Sequence, residues 1–413
     1  MVGKSLRSVF VGIAIIVVAV LRLLSGLVTV RTFISNHKLF GHLCLEPEKY
    51  LSAKSSELEL YEIGFNGEKI PDNIGPILFP QSKTRWTIDL WSFGRPSSRS
   101  NNALVRMWKR ELWVVPGFVV DVLLRANGRH KNPPIIDYRF STLLSSDRYL
   151  DASGAHLRLT EKENKTAEKT LREMGLQEGQ KFVCLVVREG GEVEALSRNH
   201  SVHDFEAAAL ALAETGIAVV RMGATNCTPM KLKHNLVFDY ANSGRRSELA
   251  DIYLMANCQF TVSTMSGPDA LALAFRRPVL YIDVAHYGLV FSGTRLTTWV
   301  PARLKDLATS KNLSLSETFS RGVGWYWKDS QFAESAITIE KSTAEEIAKY
   351  ALGMLERTTL GGEVDLLMAQ SRYQTEMASA MGNLGQRWHG PVVSRLAPQF
   401  LAENSEWFLD KND

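Results

Sequence analysis

Ser263–Asp283 reads STMSGPDALALAFRRPVLYID, and its reading decides the fold. Upstream, residues 259–263 (QFTVS) are short, apolar and β-branched, and residues 278–283 (PVLYID) share that character, so both read as buried parallel strands. Residues 269–275 between them read as a helix. Pro268 suits a first helical turn, where its missing N–H costs nothing, and Ser266 or Gly267 is available as the N-cap. Strand, small-residue loop, helix, strand is the repeating unit of a doubly wound sheet. In that unit the helix N-terminus offers backbone N–H groups at the carboxyl edge of the sheet, where anions such as phosphate bind. A plain connection with good capping residues has the same composition, so the rest of the chain must decide.

The pattern repeats outward from this stretch. Thr160 and Glu163 form a capping box, Ala167, Leu171 and Met174 make an apolar stripe, and Gly175 supplies a stop. Residues 182–187 (FVCLVV) are a buried strand that ends in the polar exit 188–191 (REGG). A helix over 203–215, a strand over 217–222, a short strand at 236–238 and a helix from the cap Ser247 to Ala256 lead back to the opening strand. Ser342 and Glu345 open a last amphipathic helix to Glu356. Nearer the N-terminus, 27–34, 58–63 and 86–90 are strand candidates, 35–42 a loop and 101–114 a helix. The alternation implies an α/β fold built on parallel sheets. The domains expected are 26–150 and 151–360, preceded by an apolar segment 1–25 and followed by a helical tail 361–413, which packs on a domain or crosses back to the first.

Residues 9–21 (VFVGIAIIVVAVL) are continuously apolar, with Lys4 and Arg7 before them and Arg22 after. The run is shorter than the roughly 20 residues a span requires and lacks a small-x-small cleavage site. It reads as a short interfacial anchor, with a span extended to Val30, a signal peptide and a buried strand as the other readings. The chain has 413 residues, 45% hydrophobic and 22% charged, with a formal net charge of +4. That charge is too small for a dedicated nucleic-acid binder but allows a basic pocket. Cys44, Cys184, Cys227 and Cys258 are scattered without metal-ligand spacing and read as reduced structural thiols.

Strand exits of a doubly wound sheet converge on one edge. Those exits carry Arg188, Arg221 and the loop with Thr264, Ser266 and Gly267. Arginine suits phosphate because its planar fork donates two parallel hydrogen bonds and stays charged, so this set is a candidate diphosphate site. A structural ion pair is the competing role for each arginine. Arg198 and Asn199, in RNHS before a helix, either face the ligand or belong to a cap made by Ser201. Asp251 either faces the ligand or is a solvated acid. Asp269 either accepts from backbone N–H groups at its helix start or contacts ligand hydroxyls. No P-loop, no G-x-G-x-x-G after a strand, no H-E-x-x-H and no Asp-x-Asp pair is present, which disfavours P-loop phosphoryl transfer, hydride transfer and metal-dependent glycosyl transfer.

SGPDALALAFRRPVLYI (266–282) resembles the phosphate loop and following helix of the ADP-heptose:lipopolysaccharide heptosyltransferases, which are GT-B glycosyltransferases. The chain is still more similar to a bacterial glycosyltransferase family of surface-polysaccharide synthesis, through FGHLCLEPEKYL (40–51), ALVRMWKREL (103–112), RNHSVHDF (198–205), VVRMG (219–223), DYANS (239–243), DIYLMANCQFTVSTMSGPD (251–269) and APQFLAENSEWF (397–408). The resemblance implies two facing Rossmann-like domains, the C-terminal one holding a nucleotide-sugar donor and the N-terminal one a glycan or lipid-linked acceptor. It implies transfer without metal or other cofactor, at the cytoplasmic face of the inner membrane. It maps donor-phosphate binding onto Thr264, Ser266 and Gly267, and the general base onto the loop carrying His42, with Glu46 and Glu48 just beyond. A structural role for His42 stays open. Ala270 stands where heptosyltransferases commonly carry histidine. A non-catalytic sugar-nucleotide or glycan-binding assembly protein, or a sugar-nucleotide epimerase, fits the same architecture.

Overall fold

The computed structural model describes residues 2–24, 28–34, 40–55, 63–64, 86–93, 101–127, 135–137, 141–142, 147–190, 193–223, 227–360, 367–404 and 407. The chain divides into two compact units, Met1–Ser145 with His156–Arg158, and Ser146–Ala155 with Leu159–Asp413.

The first unit contains α1 (Val2–Leu23), β1 (Val28–Ile34), α2 (Phe40–Ser55), β2 (Ile63–Gly64), β3 (Trp86–Ser92), α3 (Asn102–Glu111), β4 (Trp113–Val114), α4 (Gly117–Asn127), β5 (Ile135–Asp137) and β6 (Ser141–Thr142). Its main sheet has the order β4-β3-β1-β5, and all pairs are parallel. Phe33 of β1 stacks on Trp91 of β3 at 4.6 Å between ring centroids, with Tyr50 of α2 edge-on to Trp91. Burying three aromatic side chains on one sheet face supplies much of this unit's core. Asn101 caps α3 by accepting from the Leu104 N–H, and Trp108 on that helix donates to the Leu43 carbonyl.

The apolar N-terminal run is not a separate anchor. α1 packs on α4, burying Ala14 and Val18, and Val18 joins Val30, Leu90, Leu123 and Leu124 in one apolar cluster. Phe10 meets Phe118 edge-to-face, and Arg22 donates to the Asn127 carbonyl. Among the described residues no helix is long and apolar enough to cross a membrane. The helix is one-sided: Ile13, Ile16 and Leu23 stay 53%, 65% and 86% exposed. The expected loop at 35–42 is also shorter than read, because α2 begins at Phe40 and puts His42 in its first turn. The His42 side chain lies outside the described residues. Glu48, farther along α2, is buried and accepts from both the backbone N–H and the ring Nδ1 of His156, at 3.1 and 3.0 Å.

The second unit runs α5 (Tyr149–Ala152), α6 (Glu161–Arg172), β7 (Phe182–Val186), α7 (Glu206–Glu214), β8 (Ala218–Met222), β9 (Val237–Phe238), α8 (Glu248–Asn257), β10 (Thr261–Ser263), α9 (Asp269–Ala274), β11 (Val279–Val284), β12 (Thr297–Pro301), β13 (Arg303–Asp306), β14 (Lys311–Asn312), α10 (Leu315–Ser320), α11 (Asp329–Glu334), β15 (Ile337–Glu340), α12 (Ala344–Leu360), α13 (Leu367–His389), β16 (Arg395–Leu396) and α14 (Pro398–Glu403). Its seven-stranded sheet, β16-β12-β11-β10-β7-β8-β9, is parallel throughout. β7, β8, β10 and β11 are buried along their whole length, as continuous apolar runs covered on both faces should be. The unit is thus an α/β domain on a parallel sheet, with β10 at its middle.

Three local features differ from the sequence reading. The capping box of α12 uses Thr343 and Glu346, one residue later than read, because the Ser342 hydroxyl instead donates to Asp283 at 2.6 Å. The antiparallel sheet β14-β13-β15 is an addition that local periodicity did not reveal. The tail helix α13 belongs to this second unit, where Tyr373, Met377 and Met381 are buried and the Tyr373 hydroxyl accepts from Trp299 Nε1 at 2.8 Å. Gly382 breaks α13 with φ +56°, a backbone conformation that favours glycine. His389 at its end contacts Asp147 through Nδ1 and donates from Nε2 to the Gly288 carbonyl.

Candidate functional site

β7, β10 and β11 are neighbours, so their carboxyl ends open onto one edge of the sheet. Two backbone links join the first two exits. Thr264 N–H donates to the Val186 carbonyl at 3.3 Å, and Arg188 N–H donates to the Thr264 hydroxyl oxygen at 3.0 Å. The next residue, Met265, sits at φ +56°, and Asp283 at the β11 exit at φ +51°. Left-handed conformations at non-glycine residues cost energy and concentrate where surrounding structure holds a site in shape.

Asp269 organises the loop. Its buried carboxylate accepts from the Ser263 hydroxyl at 2.7 Å and from the Ser266 N–H at 2.8 Å. Burial pushes its pKa up to about 6, and the Ser263 and Ser266 hydrogen bonds and the charge of Arg198 pull the other way. The loop N–H expected to meet a phosphate therefore already has a resident carboxylate. Of the loop residues mapped to the donor, Thr264 is buried, Ser266 half-buried and Gly267 exposed. Arg198 and Arg188 reach the same edge: Arg198 Nη1 donates to the Met265 carbonyl at 3.2 Å, and Arg188 Nε to the Gly190 carbonyl at 2.9 Å. Asn199 is half-buried; its N–H donates to the Leu196 carbonyl and its own carbonyl accepts from Lys341.

The β11 exit adds groups that the sequence reading did not single out. Asp283 accepts from Ser342 N–H, from the Ser342 hydroxyl and from His200 Nε2, the last at 2.9 Å. His286 is buried; its Nδ1 lies 2.7 Å from the Tyr326 carbonyl and its Nε2 3.2 Å from the Ser197 hydroxyl, with Asp329 Oδ1 4.0 Å away. Asp329 Oδ2 accepts from the Ser197 N–H at 2.8 Å. Burial lowers the His286 pKa, and the charges of Arg198 and Arg188 lower it further. The ring is therefore neutral near pH 7. Because a carbonyl only accepts, Nδ1 carries the proton and Nε2 offers its lone pair to Ser197. That pairing can take a proton from a hydroxyl. The signal in the sequence was DVAH (283–286), an acid and a histidine directly after a buried strand.

Two expected ligand groups are committed elsewhere. Arg221 is fully buried, and its guanidinium donates to Glu189 at 2.6 Å, to Asp239 at 3.2 Å and to the Cys227 sulfur. Those acids also accept from backbone N–H groups of Thr228 and Met230, which closes the cage. The apolar strand AVVRM hides this: a buried arginine needs compensating acids, and they come from distant loops. Asp251, in the first turn of α8, accepts from the Tyr240 hydroxyl at 2.9 Å and from Arg246 at 2.8 Å, while burial raises its pKa. Among the described residues no group of three or more His, Cys, Asp or Glu is placed to hold a metal ion.

No family model matches the chain, and no curated protein sequence does. Solved structures do. A glycosyl transferase of family 9 from Veillonella parvula DSM 2008 is similar at 9% identity and a TM-score of 0.34, over 75% of this chain and 96% of that one. The E. coli ADP-heptose LPS heptosyltransferase II is similar at 13% identity and 0.31, over 61% and 84%. The dodecameric iron-containing heptosyltransferase TibC from enterotoxigenic E. coli, in complex with ADP-D-β-D-heptose, is similar at 12% identity and 0.35, over 81% and 77%. The structural neighbours thus include heptosyltransferases, the family whose phosphate loop the sequence resembles.

Proposed function

We propose that the protein is a glycosyltransferase that moves a sugar from a nucleotide-sugar donor to a glycan or lipid-linked acceptor in bacterial surface-polysaccharide synthesis, at the cytoplasmic face of the inner membrane. One observation carries this reading: the adjacent exits of β7 and β10 in a parallel sheet bring Arg188, Arg198 and the 264–267 loop to one edge. In this reading the donor diphosphate meets the Arg188 and Arg198 guanidiniums, since Asp269 engages the Ser266 N–H. Two guanidiniums stabilise the charge that grows on a departing diphosphate, which is the work a metal does in other transferases. His42 remains the proposed base for the acceptor hydroxyl.

The test is thermal melting of the full chain against ADP, UDP, GDP, CDP and CMP. A nucleotide at about 100 times its Kd stabilises by roughly 2.7 kcal/mol, a rise of several degrees. The expected result is a rise with one nucleotide, lost in Arg198→Met. No rise with any of them overturns the reading. Incubation with the matching nucleotide sugar then separates the rivals: consumption that requires an acceptor supports transfer, conversion without acceptor means epimerisation, and binding without turnover means a non-catalytic protein.

A further inference from the structure

A cavity of the second unit lies away from the strand-exit edge. It has a volume of about 650 Å³ and sits where the sheet edge formed by β16 and β12 meets α12, α13 and the start of α14. Gln370 on α13 closes one wall by bonding both the N–H and the carbonyl of Leu396 on β16. The volume falls in the range of small-molecule pockets.

Its lining is basic. Arg295, Arg357 and Arg395 face Glu356 as the one acid among the described lining residues. Arg357 is half-buried on α12, and its Nη2 donates to the Met354 sulfur at 3.3 Å. Burial and the neighbouring charge of Arg395 lower its pKa to about 10. The lining is also unsatisfied. The Thr298 hydroxyl, the Tyr350 hydroxyl, Arg357 Nε and Gln399 Oε1 are all buried without a hydrogen-bond partner among the described residues. Thr298 and Tyr350 are 2% and 1% exposed. Buried polar atoms are almost always paired in folded proteins, and four orphans around one cavity mark a place where a partner from outside supplies the bonds. Gly353 belongs to the same arrangement: the Gln399 side-chain amide lies over it, where a Cβ would fall 2.2 Å away and push that amide aside.

We propose that this cavity is a second binding site, separate from the donor edge, for a small organic anion: a phosphate or carboxylate held by Arg357 with Arg395 beside it, and its hydroxyl or amide groups by Tyr350, Thr298 and Gln399. The site does not depend on the glycosyl-transfer reading. An anion removes the repulsion between the two guanidiniums and satisfies the Arg357 Nε, while Gln399 Oε1 requires a donor, which a hydroxylated ligand provides.

Thermal melting and calorimetry of the full chain with inorganic phosphate, pyrophosphate, glucose 6-phosphate and citrate test this. Saturable binding of at least one probe is expected, with glucose 6-phosphate against citrate separating a phosphate from a carboxylate ligand. Arg357→Gln should weaken binding at least tenfold and Thr298→Val severalfold, whereas Arg198→Met should leave it unchanged and affect only nucleotides. Without ligand, Arg357→Gln should melt at or above the parent temperature, because it removes a repelled charge. Three outcomes each overturn the proposal: no probe binding to the folded chain, equal binding by Arg357→Gln, or an Arg357→Gln protein that melts well below the parent with no ligand present.

Discussion

Arg221 and Arg357 are two arginines withdrawn from solvent in the same unit, and their surroundings are opposite. Arg221 ends a central strand inside a cage of Glu189 and Asp239, with every surrounding acid fixed by further bonds. Arg357 lines an open cavity beside another arginine; the Nε of both side chains is unpartnered, but only Arg221 has carboxylates on its other guanidinium nitrogens. The first is a charge whose cost of burial is offset within the protein, so removing it harms the fold. The second carries an uncompensated charge, which is a feature of a site awaiting a ligand rather than of a core.

The largest effect should come from Arg221→Met. It leaves two carboxylates facing each other without their cation, and a loss of about 3–5 kcal/mol is expected from denaturant unfolding. A loss below about 1 kcal/mol would mean that the cage does not hold the strand exit. Asp269 comes next and sharpens the contrast, being a buried acid satisfied by neutral donors rather than by an ion pair. Its pKa of about 6 in the folded chain lies above the ordinary 3.8, so the native state holds the proton more tightly and ionisation costs stability. Stability therefore falls as pH rises through the window from about 4 to 6 and is constant above it, by on the order of 2–3 kcal/mol. Asp269→Asn should flatten that slope in urea titrations between pH 4 and 7; an unchanged slope would assign the titration to another group.

Smaller effects follow. Thr264→Val keeps the shape but deprives the Arg188 N–H of its acceptor, with an expected cost of about 1–2 kcal/mol in the same assay. No cost would show that the two exits are not stitched through this hydroxyl. Arg357→Met should have the opposite sign, a gain of about 1 kcal/mol without ligand, because replacing an uncompensated buried charge by an apolar side chain of similar volume is neutral or stabilising. A loss would erase the distinction between the two arginines.

The parts that were legible in the sequence share a physical cause. The order of strands and helices from Thr160 to Asp283, the helix after Ser342, the caps at Thr160 and Ser247 and the small-residue loop after β10 all follow from interactions within a few residues. Proximity was legible in part: Arg188, Arg198 and residues 264–267 do come to one edge, whereas Arg221 and Asp251 do not join them. The chemistry of the site was not, because His286, Ser197 and Asp329 are separated by up to 132 residues and become neighbours only when the strands are ordered. Asp269 shows the boundary well. Its place in a first helical turn and its acceptance from a backbone N–H there were readable, whereas its bond from the Ser263 hydroxyl goes with a left-handed Met265 that composition does not announce.

By itself, then, the sequence determined an α/β chain with a parallel sheet around Ser263–Asp283, since period, capping and β-branched runs act locally. The tertiary structure decided which charges find partners: Arg221 with Glu189 and Asp239, Asp251 with Arg246, Asp283 with His200 and Ser342. It also decided that α1 packs on α4, that β13, β14 and β15 form an antiparallel sheet, and that residues between 295 and 399 enclose a basic cavity. Such pairings join groups far apart in the chain, and packing selects among the many partners that a local pattern leaves equally acceptable.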